Sequence, residues 1–301
     1  MSPEKMARGD KAIAAAIGAA TGEVFRLRSR QGAGGGCIHR SEVFADGERR
    51  FFVKRNAPEA AAMFRAEADG LGALAASGAL RLPRVVCQGA NDDASWLVLE
   101  YLPLKALDRV SAVRLGEALA VQHRAPAGDA FGWPSDNFIG STPQFNEPHG
   151  TWAYFFAERR LRPQLQLALT RGLDRPLFEA GERLVAGLAA FFVDETPRPS
   201  LLHGDLWSGN VAALPDGTPV IFDPAVYRGD READIAMAEL FGGFPESFYA
   251  AYRMAWPLSA GYETRKTLYN LYHILNHFNL FGGGYLGQAR RMIERLLAEL
   301  R

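Results

Sequence analysis

His203-Gly204-Asp205-Leu206-Trp207-Ser208-Gly209-Asn210 sets a carboxylate and a carboxamide five residues apart, and Asp223 follows thirteen residues later, ahead of Pro224. Metal-assisted phosphoryl transfer needs such a set. One carboxylate accepts the proton of an attacking hydroxyl, while an amide and a second carboxylate hold Mg²⁺ against nucleotide phosphates. Asp205 is the candidate acceptor, or the group that orients the hydroxyl, and its contribution rests on positioning and charge. Asn210 and Asp223 are hard oxygen donors suited to Mg²⁺. Turn and cap chemistry is the alternative use of both, and the step onto a strand end favours ligation.

The string matches the H-x-D-x-x-x-x-N catalytic loop of kinases, with Gly204 where Arg is usual. His203 is expected to brace that loop. Asp223-Pro224-Ala225 replaces Asp-Phe-Gly, so the Phe-based switch of protein kinases is not expected. Upstream, Gly32-Ala33-Gly34-Gly35-Gly36 lies between two strand patterns. It is either a plain turn or a loop whose N–H groups approach phosphate, with Gly34, Gly35 and Gly36 as contacts. It has neither Walker A nor G-x-G-x-x-G form, which disfavours P-loop and Rossmann readings. Lys54 ends the strand Phe51-Phe52-Val53-Lys54, where an ammonium reaches α- and β-phosphates. Glu67 sits on an apolar helix stripe with Phe64 and Leu71, a costly place for a carboxylate without a partner, and Lys54 is the natural one. Glu100-Tyr101-Leu102, after the strand Leu97-Val98-Leu99, is where the chain would cross between lobes and offer backbone groups to adenine.

These residues need two kinds of support. Strand patterns at Val24–Leu27, around Ile38–Phe44, at Arg50–Lys54, Pro83–Val86 and Trp96–Leu99 surround one helix from Pro58 to about Ala76. Beyond Val110 the pattern is mostly helical, at about 110–124, 150–170, 176–194, 232–240, 245–254, 263–279 and 286–300, with a loop-rich stretch at 125–149 and a short strand pair at 211–223. The expected class is α+β: a bilobal, protein-kinase-like fold with a small β-rich N-terminal nucleotide-binding lobe, 1–102, and a larger, mainly helical catalytic and substrate lobe, 103–301. An adenine nucleotide would fit the cleft between such lobes.

Lys plus Arg equals Asp plus Glu at 34 each, which recommends neither nucleic acid nor an anionic membrane as partner. Two cysteines, Cys37 and Cys87, make no disulfide framework and agree with a reducing cytoplasm. The Ala-rich run from Ala12 to Ala20 resembles a weak signal peptide but is short, Leu-poor and preceded by Asp10 and Glu4, so a surface helix is expected. His273 and His277 have i,i+4 spacing for a shared metal, but no third ligand is evident and a partly buried pair is the favoured reading. Arg231, Glu232 and Asp234 read as helix-start and ion-pair structure.

The ordered strings resemble the fructosamine kinase (ketosamine kinase) family over nearly the whole chain. They include Gly34-Gly35-Gly36-Cys37-Ile38, Phe131-Gly132-Trp133, Asp136-Asn137-Phe138-Ile139-Gly140, Pro143-Gln144-Phe145-Asn146, the segment Leu202 to Asn210 and Gly229-Asp230-Arg231-Glu232-Ala233-Asp234. The resemblance implies ATP- and Mg²⁺-dependent phosphorylation of a ketosamine, small or protein-linked, at the 3-hydroxyl, after which the adduct breaks down and frees the amine. Carried over by position, Asp205 is the acceptor, Asn210 and Asp223 bind magnesium, Lys54 and Glu67 grip the phosphates and Glu100 to Leu102 form the adenine hinge. Asp136, Asn137 and Trp207 are the substrate-side candidates. A kinase of another alcohol or an aminoglycoside, and a nucleotide-binding pseudokinase, are the rival readings; retention of Lys54, Asp205, Asn210 and Asp223 counts against the second. Cys37, in the glycine-rich segment near Lys54, is either a small loop residue or a redox switch that links two chains, so both a monomer and a redox-sensitive homodimer are open.

Overall fold

Alternation along Arg50–Asn56 decides how the N-terminal part of the chain folds. Phe51, Val53 and Arg55 point to one face of the strand, and Phe52, Lys54 and Asn56 to the other. The computed structural model describes residues 3–34 and 39–300, with side chains from Arg8 onward. Gly35, Gly36 and Cys37 of the glycine-rich segment lie outside the described residues.

The strands are β1 Ser29–Gly32, β2 Arg40–Ala45, β3 Arg50–Asn56, β4 Val85–Ala90, β5 Ser95–Glu100, β6 Asn137–Ile139, β7 Thr142–Gln144, β8 Ser200–Leu202, β9 Val211–Ala213, β10 Pro219–Ile221 and β11 Tyr227–Gly229. The helices are α1 Pro3–Thr21, α2 Ala61–Ala75, α3 Arg109–Arg124, α4 Trp152–Phe156, α5 Arg162–Thr170, α6 Arg175–Gly187, α7 Glu232–Leu240, α8 Glu246–Ala255, α9 Tyr262–Phe281 and α10 Leu286–Glu299. The chain divides into two compact units, Met1–Ser111 with Gly209–Pro224, and Ala112–Ser208 with Ala225–Arg301. Among the described residues no helix is long and apolar enough to cross a membrane.

In the first unit, a five-stranded antiparallel sheet of the described residues runs β1-β2-β3-β5-β4. Its inner face meets α1: Ile13 and Ile17 pack with Phe25, Phe44, Phe51, Val53, Trp96 and Val98. Asp10 of α1 pairs with the buried Arg55 on that face. The helix expected at the surface is therefore docked through its isoleucines. Val24–Leu27 is not a strand. Phe25 is buried edge-on against Phe51 at 5.3 Å, so the alternation records one side chain entering the core rather than ladder pairing. The hairpin β9–β10 belongs to this unit, because Ile221 N donates to Arg81 O at 3.1 Å and Lys105 and Ala213 exchange backbone bonds at 2.8 Å.

In the second unit α9 is buried over most of its surface, from Leu268 through Phe278, and the cluster around it takes in Trp152, Phe156, Leu184, Leu202, Tyr227 and Ile293. The helix expected over 150–170 is interrupted by a π-helical turn, Ala157–Leu161, which carries Arg160 into the interior. The loop-rich stretch contains the hairpin β6–β7. β8 and β11, absent from the sequence reading, pair antiparallel with Leu202 opposite Tyr227. Three-residue strands offer too few alternations to stand out in a sequence.

His273 is 3 % exposed, and its Nδ1 has no hydrogen-bond partner among the described residues. Burial pushes its imidazole down to about 3, and neighbouring His277 adds to the effect. The unfolded chain takes up this proton near pH 6.5 while the folded chain refuses it, so stability falls as pH drops through that window. Between pH 7 and pH 5, His273 is expected to cost about 1–2 kcal/mol. Urea midpoints at the two pH values, for the native chain and a His273→Gln variant, measure this; equal acid sensitivity in both would contradict it.

Candidate active site

Lys54 leaves the sheet on the face opposite α1 and is 4 % exposed. Its Nζ donates to Glu67 Oε1 at 2.7 Å and also to Asp223 Oδ1. Glu67 comes from α2, whose buried Phe64, Leu71 and Leu74 fix the helix rotation and so aim the carboxylate at the strand. Burial works against the ammonium, but Asp223 and Glu67 outweigh it and hold Lys54 above the ordinary lysine range. Burial, with Asp223 adding to it, pushes Glu67 upward as well, against the pull of Lys54. An ammonium locked in its charged form and held by a strand and a helix at once is a fixed positive charge.

Asn210 and Asp223 flank the open end of the β9–β10 hairpin, and Phe222 N donates to Asn210 O at 3.1 Å across the last rung. Among the described non-glycine residues, Asp223 alone has positive φ, at 60°. Backbone strain of this kind persists only where the surroundings demand it. A carboxamide oxygen and a carboxylate are a sparse, hard donor set, of the kind that would hold Mg²⁺.

The turn that carries Asp205 lies in the second unit. Asp234, at the start of α7 and 1 % exposed, accepts from His203 N at 2.7 Å and Gly204 N at 2.9 Å. It also accepts from His123 Nε2 at 3.1 Å, and Tyr252 OH fills His123 Nδ1 at 2.8 Å. Burial opposes the Asp234 carboxylate, yet these donors keep it below the usual range. His203 O accepts from Ala225 N at 2.8 Å, which brings Ala225 O against Gly204. Gly204 has φ +80°, and a Cβ there would lie 2.0 Å from Ala225 O. The arginine usual at this point of the loop has no room. The tight turn leaves Asp205 half-buried, its N–H on His203 Nδ1 at 3.3 Å.

Of the substrate-side candidates, Asp136 caps the Asn146 N–H at 2.7 Å. Asn137 is 4 % exposed, donates to Val226 O at 2.7 Å and accepts from Gln144 and Asn146 at 2.7 and 2.9 Å. Its amide is thus occupied in holding the loop to the strand that follows Asp223. Arg160, fully buried, extends this lattice by donating to Asn146 Oδ1 at 2.7 Å while its guanidinium lies 4.0 Å over the Tyr227 ring. Trp207 is 37 % exposed, with one edge on Phe241 at 6.3 Å. Phe241 in turn meets His277 at 4.6 Å, and His277 Nδ1 lies 2.8 Å from His273 O. In the first unit, Glu100 is held by Arg81 at 2.7 Å, and Arg50 lies 4.4 Å over Tyr101; Leu102 follows, half-buried. Cys87 is half-buried, and burial pushes its thiol up to about 11, which leaves it protonated.

The sequence profile of fructosamine kinases matches residues 9–299. The chain belongs to the fructosamine kinase family. It is 48 % identical over 285 residues to a "probable ketoamine kinase" of Synechocystis sp., covering 95 % of this chain and 96 % of that one. It is 40 % identical over 282 residues to the chloroplastic protein-ribulosamine 3-kinase of Arabidopsis thaliana, covering 93 % and 86 %. The crystal structure of a Haemophilus somnus protein named for fructosamine-3-kinase superposes with a TM-score of 0.88 at 31 % identity, over 95 % and 96 % of the two chains. The fold is the α+β fold of kinase-like phosphotransferases.

Two residues that hold this site are not marked by the sequence: Asp234, which reads there as ion-pair structure, and Arg160. A carboxylate at a helix start carries no mark of which N–H groups it will accept. Gly204→Ala should force Ala225 away, lower stability by about 2–4 kcal/mol and reduce turnover at least about hundredfold. Thermal unfolding and initial rates on the same preparation check this; native-like values of both would contradict the packing described.

Proposed function

We propose that the chain transfers the γ-phosphoryl group of ATP to a sugar hydroxyl of a ketosamine, at the 3-position, and that breakdown of the phosphorylated adduct releases the amine. The observation that carries this reading is Lys54, buried and shared between Glu67 and Asp223, in a chain that keeps the whole string from His203 to Asn210. The ribulosamine 3-kinase relative supports the choice of acceptor and position.

In this reading Lys54 holds phosphate oxygens, with Glu67 fixing its direction, and backbone groups of Glu100 to Leu102 meet adenine. Gly34 belongs to the same binding region. Asp205 takes the proton of the sugar hydroxyl, or orients it for attack, from a loop fixed by Asp234. Asn210 and Asp223 would hold Mg²⁺, which when bound offsets charge on the phosphates. Trp207 offers an exposed ring to the sugar or its amine substituent, while Asp136 and Asn137 shape the loop beside it. Phosphoryl transfer asks little covalent chemistry of the protein, so these positioning roles supply most of the catalysis.

Release of ADP from Mg²⁺-ATP with fructosyl- or ribulosyl-lysine, set against aminoglycoside, choline and free-sugar controls, tests the reading. Ketosamine alone should support turnover, and chelation of Mg²⁺ should stop it. Asp205→Ala should lower turnover about 10²–10⁴-fold while nucleotide affinity stays within about threefold. Turnover of a control only would discard the substrate, and an unchanged rate in Asp205→Ala would discard the mechanism.

A further inference from the structure

We infer that His39 is a neutral hydrogen-bond donor to an anionic oxygen of the bound nucleotide's phosphates. The inference rests on the nucleotide reading above and adds a residue to it. Arg40 faces Arg55 and Ser41 faces Lys54 in the β2–β3 ladder, so the next position back, His39, comes opposite Asn56. Side chains alternate along each strand, and cross-strand partners share a face. His39, Ser41, Lys54 and Asn56 therefore stand on the face that carries the Lys54–Glu67–Asp223 cluster, away from α1. The imidazole packs against Phe64 of α2 at 4.7 Å between ring centroids, one helical turn before Glu67.

The protonation state follows from hydrogen bonds. Ala57 N donates to Asn56 Oδ1 at 2.8 Å, which fixes the amide orientation and turns its NH₂ toward the ring. Asn56 Nδ2 lies 2.9 Å from His39 Nδ1. A donor at that distance requires a bare Nδ1, because an N–H there would oppose the NH₂. The ring's single proton is then on Nε2, and the imidazole carries no charge. Lys54 on the same face is itself a donor, and it already occupies Asp223 Oδ1. A phosphate oxygen arriving beside Lys54 meets an ammonium and an imidazole N–H together, one supplying charge and the other direction.

The test measures affinity rather than turnover. Binding of a non-hydrolysable ATP analogue and of adenosine is followed by calorimetry for the native chain, His39→Phe and His39→Gln. Phenylalanine keeps a ring against Phe64 and removes the donor. It should weaken the ATP analogue about tenfold or more and leave adenosine within about twofold. Glutamine restores an N–H near the Nε2 position and should recover most of the loss. Unchanged analogue affinity in His39→Phe, or an equal loss for adenosine, would overturn the assignment. Absence of nucleotide binding by the native chain would instead remove the function on which it rests. Long-range ¹H–¹⁵N spectra of the native chain test it without any variant: an Nδ1–H tautomer at His39 refutes the proposal, and the Nε2–H tautomer with an Nε2 shift on nucleotide addition supports it.

Discussion

A lysine ammonium inside a protein is unfavourable unless its charge is met, and the first unit is organised around meeting the charge of Lys54. Strand β3 delivers it, α2 brings Glu67 and the end of the β9–β10 hairpin brings Asp223. Three separate stretches of chain are thereby tied to one atom. Buried pairs of this kind are weak arguments for stability, since well-packed apolar residues often do as well, but removing one partner strands the other at a cost of about 3–5 kcal/mol. The cluster is better understood as preorganisation: the ammonium is charged, and its direction is set before any ligand arrives.

The second unit solves a different problem with the same means. Asp205 must project from a tight turn, and a turn has unpaired N–H groups of its own. Asp234 accepts two of them, and Gly204 allows the close pass of Ala225 that completes the turn. Around it, Asn137, Gln144 and Asn146 satisfy one another and the carbonyls of Ala225 and Val226. Their lattice ends at Tyr272 OH, 2.7 Å from Gln144 Oε1, and so reaches α9 at the centre of the core. A carboxamide network with its groups paired is rigid, because any shift leaves a buried amide unpaired.

Much of this could be read in the residues alone, and the exceptions have a common cause. Lys54 and Glu67 were legible as partners because a carboxylate on an apolar stripe calls for a cation, and the stripe fixes which residue it is. The string from His203 to Asn210 was legible because spacing carries its meaning. Asp234 and His39 were not, since their roles depend on which backbone or side-chain groups the fold brings to them. Asn137 is a substrate-side candidate on polarity beside aromatics alone, and no sequence mark shows that its side chain turns inward to Val226, Gln144 and Asn146. Val24–Leu27 misled for the opposite reason, as one buried phenylalanine imitated a strand.

In the proposed function Glu67 serves nucleotide binding through Lys54 and has no separate hold on the ligand. Nucleotide dissociation constants for the native chain, Lys54→Met, Glu67→Gln and the double variant test this dependence. Each single change should weaken binding, and the double variant should be no weaker than Lys54→Met, a coupling of at least about 1 kcal/mol. Additive losses, or native affinity in Glu67→Gln, would contradict it.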